Sequence, residues 1–331
     1  MSVDALPKVE LHVHLEGTAT PELVQRLAAR NGIGLPERLL NEHGRFHYRD
    51  RDFLDFLRTY DMAASVIRTA RDYRDITYEY LSACAREGAI YVEVTASPDH
   101  AGRVGLAESE HLAGIAQGID DARADHGIEA RILFVAIRDR GAERAAEIAR
   151  LAAQRPHEYV VGLSMAGDEA GFPAGLFAEA YAIAEAAGLG CTMHAGEWGG
   201  PESVRAAMAL PVTRIDHGVR AIEDPDLVTE LADRQIVLDT CPTSNVVLGV
   251  FPGFDEHPLP RLRDAGVRLT LGSDDPPYFG ATIGGEYRVC FERLGFSRED
   301  LTAVTLTAID AAFCEDNLKA ALRARVSGGH R

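Results

Sequence analysis

Eight short β-rich runs recur along the chain, at Lys8 to Val13, Ile90 to Thr95, Arg131 to Ile137, Val160 to Ser164, Gly190 to His194, Arg214 to Asp216, Ile236 to Asp239 and Arg268 to Leu271. Most are separated by amphipathic, Ala-rich stretches with helical periodicity, among them Ala142 to Gln154, Gly175 to Ala187, Asp226 to Arg234 and Pro258 to Ala265. Strands that alternate with helices build a parallel sheet, and eight such units close it on itself. The spacing therefore predicts an α/β fold, a TIM-type (β/α)8 barrel. The rival is an open doubly wound sheet, but no Gly-x-Gly-x-x-Gly turn follows any of the runs.

Barrels of this kind reach 331 residues as one unit, and no Ser, Gln or Pro tract marks a linker, so a single domain over residues 1–331 is expected. One insertion breaks the rhythm, because the stretch between the first two runs is far longer than a crossover helix needs. Extra helices are expected there, at about residues 18–85. Phe53, Phe56, Leu57 and Tyr60 share a helical face within it, which suits either packing on the barrel or a lid over the site.

The formal net charge of −17 argues against a nucleic-acid partner, which calls for clustered positive charge. The five cysteines, Cys84, Cys191, Cys241, Cys290 and Cys314, are an odd set without Cys-x-x-Cys spacing, as reduced thiols in a cytoplasm would be. Residues 1–10 lack the regions of a secretion signal and no apolar stretch is long enough to span a bilayer. A cytoplasmic protein without a membrane partner is expected; oligomeric state is not readable.

His12 and His14 lie one residue apart in the first run, so on a strand they share a face and can converge on one ion. In a closed barrel His194 would end strand five, His217 strand six and Asp274 strand eight, all at one rim. Three imidazoles and a carboxylate suit zinc with a position left for water. Glu197, three residues past His194 in a Gly-containing turn, lies near the ion and can shuttle protons. His217 could be a fourth ligand, a base or a structural residue; a base is expected, since His12, His14, His194 and Asp274 already fill the shell. Asp274 and Asp275 must point differently, so one binds and the other orients.

A single zinc per chain is expected. Two-metal barrel hydrolases usually need a carbamylated lysine or a carboxylate ending a middle strand, and the only lysines are Lys8 and Lys319. Asp168 and Glu169, soon after strand four, keep a second ion possible.

Together these segments resemble the adenosine deaminase family of the amidohydrolase superfamily, over most of the chain. Lys8 to Gly17 resembles its opening histidine motif, Ala166 to Glu169 its central glycine segment, Met193 to Glu197 its His-Ala-Gly-Glu signature, Cys241 to Asn245 its Cys-Pro-x-Ser-Asn segment, and Gly272 to Pro276 its paired-aspartate turn. The resemblance implies that His12, His14, His194 and Asp274 bind zinc, that Glu197 protonates N1 of a purine and that His217 orients or activates the attacking hydroxide. It implies that Asp275 meets N7, that the Gly167 backbone meets N3, and that the helices around Phe53 to Tyr60 form an apolar lid. Two positions depart from the family. Glu16 stands where adenosine-specific members usually carry the Asp that contacts the ribose, and Asp216 precedes His217 where Gly is common.

The implied reaction is hydrolytic deamination of a 6-aminopurine, with adenosine or 2′-deoxyadenosine as the leading substrate. Adenine and 6-aminodeoxyfutalosine are the alternatives that Glu16 raises. A metal-dependent amide or ester hydrolase on the same barrel is more distant, and a non-catalytic barrel with a structural zinc more distant still.

Overall fold

The structure is a computed structural model and describes residues 3–328. Five parallel strands, β1 (Lys8–Glu10), β2 (Ala89–Ala96), β3 (Glu129–Ile137), β4 (Val160–Ala166) and β5 (Gly190–Cys191), neighbour one another in chain order. Four more, β6 (His194–Ala195), β7 (Arg214–His217), β8 (Val237–Thr240) and β9 (Arg268–Leu271), do the same. Both seams between the two sets are bonded. At one, Thr192 N–H donates to the Leu163 carbonyl and Asp216 N–H to that of Met193, so the fifth run is one path bent between β5 and β6. At the other, Asp274 N–H donates to the His12 carbonyl at 3.2 Å and His14 N–H to the Asp274 carbonyl at 3.1 Å. The sheet thus closes as the alternation of the sequence requires. The strands are covered on both faces, which is why β2 is buried along its whole length.

The first strand is shorter than the run that encodes it. Regular pairing ends at Glu10, and beyond it only single bridges remain, Val13 to Asp274 and His14 to Thr95. Those bridges still tie the two histidines to the strands on either side.

Between β1 and β2 the chain forms α1 (Pro21–Arg30), α2 (Phe53–Ala64) and α3 (Ala70–Arg86). Each begins where a side chain accepts an otherwise orphaned backbone N–H: Thr20 from Leu23, Asp52 from Asp55, and Thr69 from Asp72 in a reciprocal capping box. The third packs on β2 as the crossover helix, leaving α1 and α2 as the excess. No described helix is long and apolar enough to cross a membrane. All five cysteines are buried and free.

Candidate active site

His12, His14, His194, His217 and Asp274 come together at the C-terminal ends of the strands. His14 Nε2 stands 3.2 Å from His194 Nε2 and 3.3 Å from Asp274 Oδ1, and His12 Nε2 is 3.7 Å from the same oxygen. His217 Nε2 lies 3.9 Å from Asp274 Oδ2. Two nitrogens bound tetrahedrally to zinc at about 2.0–2.1 Å would be roughly 3.3 Å apart. The separation of His14 and His194 fits that spacing, and His12 Nε2 is buried without a hydrogen-bond partner, so the donor set fits one zinc ion. His217 and Asp274 are both held at positive φ, 64° and 63°, a backbone cost of about 1–3 kcal/mol each of the kind found at functional sites.

The opposite nitrogens of two imidazoles are committed elsewhere. His12 Nδ1 is 3.0 Å from the Asp239 carbonyl, and His194 Nδ1 is 3.1 Å from Asp216 Oδ2. A carbonyl can only accept, so the His12 ring carries its proton on Nδ1 and leaves Nε2 bare; His194 Nδ1 stands at ion-pair distance from the Asp216 carboxylate without hydrogen-bond geometry. Burial opposes ionisation of Asp216, yet His12, His194 and the Thr192 hydroxyl, which donates at 2.7 Å, hold its carboxyl well below the usual range. Asp239 is itself anchored, 3.0 Å from the fully buried Arg214, whose guanidinium also meets Glu93 at 2.7 Å. Asp216 therefore faces His194, neither outward nor toward His217 as its position next to His217 suggests.

The carboxylates divide by environment. Burial works against ionisation of Asp274, but His14, His12 and His217 together keep its carboxyl well below the ordinary value. Ser244 Oγ donates to its Oδ2 at 2.6 Å. Glu197 is pushed the other way by burial and by the nearby charges of Asp274 and Glu169. Asp275 is raised too, by burial and then by Asp274, and its Oδ1 has no partner. Two adjacent aspartates are thus shifted in opposite directions, Asp274 toward the charged form and Asp275 toward the neutral one.

Glu169, considered for a second ion, is engaged by backbone N–H groups. Its oxygens accept the N–H groups of Gly196 at 2.5 Å, Glu197 at 3.2 Å and Trp198 at 2.8 Å, which clamps the turn that carries Glu197.

A cavity of about 230 Å³ opens over the cluster. His14, His194, His217, Glu197, Asp274, Asp275 and Gly167 line it from the barrel, and Phe53, Phe56, Leu57 and Tyr60 of α2 line it from above. Gly167 adopts φ 103°, which turns its backbone at the cavity wall. Asp61 ties α2 to the helix Pro98–Arg103, 2.9 Å from His100 Nε2 and 2.8 Å from an Arg103 nitrogen.

Glu16 is not among the residues that line the cavity; its Oε1 accepts from Ser97 N–H at 3.1 Å and from the Tyr73 hydroxyl at 3.2 Å, with His111 Nε2 at 3.9 Å, while its Oε2 is buried without a hydrogen-bond partner. Burial raises its pKa.

A family model described as adenosine deaminase matches residues 7–328. The chain belongs to the adenosine deaminase family. Among relatives in that family, an adenine deaminase of Chelativorans sp. (strain BNC1) is 47% identical, over 97% of this chain and 98% of its own. An adenine deaminase from Arthrobacter aurescens superposes with a TM-score of 0.89 at 31% identity, covering 98% of both chains. An amidohydrolase from Burkholderia ambifaria, solved with bound zinc, gives 0.90 at 31% identity over 98% of this chain and 91% of that one. As a member of the adenosine deaminase family, this protein is a hydrolytic deaminase on the metal-dependent amidohydrolase barrel.

Three residues that touch the site have no role assigned from the sequence, Asp216 on His194, Ser244 on Asp274 and Asn245 on His217, and Glu169, considered there for a second ion, lies under the Glu197 turn. Ser244 and Asn245 sit in a segment recognisable as a motif. Nothing in their spacing tells which ligand each would meet.

Proposed function

We propose that this protein is a zinc-dependent adenine deaminase, converting adenine and water to hypoxanthine and ammonia with one zinc per chain. The observation that carries the deaminase chemistry is the pairing of a raised, buried acid, Glu197, with the cluster of His12, His14, His194, His217 and Asp274 at one wall of the cavity. Zinc held by His12, His14, His194 and Asp274 supplies a hydroxide nucleophile at neutral pH by lowering the pKa of water.

Glu197, whose carboxyl is biased by burial toward the protonated form, donates to N1 of the ring and draws electron density from C6, the carbon that is attacked. His217, with Nε2 3.7 Å from Glu197 Oε2 and 3.9 Å from Asp274 Oδ2, faces the oxygen that attacks. Asp275, biased the same way and with Oδ1 free of protein partners, donates to N7, and the Gly167 backbone meets N3. The aromatic face of α2 closes over the base and excludes water. The proton of the new C6 hydroxyl then passes to the amine, the C6–N bond breaks as the C6=O bond forms, and ammonia leaves while hypoxanthine keeps the proton on N1.

Adenine is favoured over adenosine, the leading substrate in the sequence reading, by two observations. The relatives that match nearly the full chain at 44–47% identity are named adenine deaminases. Glu16, where the family's ribose contact belongs, has its Oε1 engaged by Ser97 and Tyr73 and is not among the residues that line the cavity. The test is kcat/KM of zinc-loaded protein on adenine, adenosine and 6-aminodeoxyfutalosine, followed by ultraviolet absorbance and ammonia release. Adenine should lead by at least tenfold; a faster rate on either nucleoside defeats the reading.

A further inference from the structure

A chain of hydrogen bonds behind His217 has one end whose direction is fixed. Leu259 N–H, at the first turn of the helix Leu259–Asp264, is a donor and nothing else, and it donates to His257 Nδ1 at 3.3 Å. His257 is buried, and burial drives its pKa down to about 3, so the ring is neutral with its single proton on Nε2. That Nε2 lies 3.2 Å from Asn245 Oδ1 and donates to it. The carboxamide is thereby oriented, and its Nδ2 donates to His217 Nδ1 at 3.2 Å. Every side chain in the series is buried.

We propose that Asn245 and His257 are positioning residues that hold His217 as the tautomer protonated on Nε2, so that it acts as a hydrogen-bond donor to the attacking oxygen and stays out of the metal shell. The role as donor rests on the deaminase reading; the tautomer does not. By distance alone His217 Nε2 is as eligible a ligand as those of His12 and His194. What separates the three rings is the group behind each. His12 donates to a carbonyl through Nδ1 and keeps a bare Nε2, and His194 Nδ1 stands beside a carboxylate, whereas His217 faces a donor through Nδ1 and keeps its proton on Nε2. A ring that bears that proton cannot ligate or accept a proton there. It can orient an oxygen between Glu197 and Asp274.

The experiment uses the zinc-loaded full-length protein labelled with [15N]histidine. Two-bond 1H–15N correlations report the tautomer, with the His217 signals identified by their loss in His217→Gln. The expected pattern is an unprotonated Nδ1 and a protonated Nε2 for His217. His257→Phe, which removes the donor to Asn245, should mix or invert this pattern and lower kcat about tenfold with KM unchanged, as loss of an outer-shell partner does. His257→Gln, whose amide can still donate, should restore both. A protonated Nδ1 on His217 in the unaltered protein overturns the proposal without need of any variant. So does a His257→Phe protein with unchanged tautomer and kcat. Because the spectrum is read without turnover, absence of activity on adenine would count against the substrate and leave the tautomer test standing.

Discussion

Asp216 braces His194, its Oδ2 lying 3.1 Å from the imidazole Nδ1 on the far side of the ring from the ligand cluster. An ionised partner there fixes the ring and raises the basicity of Nε2. Asp216→Asn keeps the size and loses the charge, so zinc affinity should fall about 10- to 100-fold. Competition with a chromophoric chelator measures this; unchanged affinity would remove Asp216 from the metal's support.

Glu197→Gln leaves the shape of the turn and its Glu169 clamp in place but cannot give a proton to N1. We expect kcat to fall about 1,000-fold with zinc content near one per chain. Metal analysis and initial rates on the same preparation check it, and retention of the rate would reassign the acid.

A side chain at position 17 has no room. A Cβ built on Gly17 would lie within 2.9 Å of Tyr60 and far inside contact distance of Asp275 Oδ1. Gly17→Ala should therefore displace the Asp275 carboxyl from the cavity wall and lower kcat/KM about 100-fold, while zinc binding survives. A crystal structure of the variant with Asp275 unmoved would contradict the cause assigned.

Glu286 gives a pH signature that belongs to folding. Burial, with the charges of Glu10 and Asp274 adding to it, pushes its carboxyl up to about 8 from an ordinary 4.5. Between those values the folded chain holds a proton that the unfolded chain has lost. The associated stability is complete below pH 4.5 and is lost as pH rises through 8. Glu286→Gln, a fixed mimic of the neutral acid, should flatten this decline. Urea midpoints at pH 5 and pH 8 provide the comparison, and equal slopes in both proteins would refute it.

Much of the fold was legible because a parallel sheet covered on both faces demands continuous apolar runs, and those stand out at β2, β3 and β4 against the Ala-rich helices. The bend between β5 and β6 was not, since Thr192 and Met193 look as strand-like as their neighbours. His12, His14 and Asp274 were readable as site candidates because each stands where an apolar run ends. The partner of Asp216 was not legible, because a strand tells which face a residue shares but not which neighbour lies in register with it, here His194 of the adjoining segment. Asn245 and His257 act across a loop, and only the folded chain brings them behind His217. The surroundings of Glu16 were not legible either, because Ser97 and Tyr73 reach its Oε1 from distant parts of the chain.

The seam at which His12 and His14 meet Asp274 joins the first strand to the last. During synthesis the amino-terminal histidines leave the ribosome long before their carboxylate partner is translated. A nascent chain can accordingly shape most of its sheet yet hold no complete ligand set, and messages cut short before codon 274 would yield products unable to capture the ion however well their remaining helices pack.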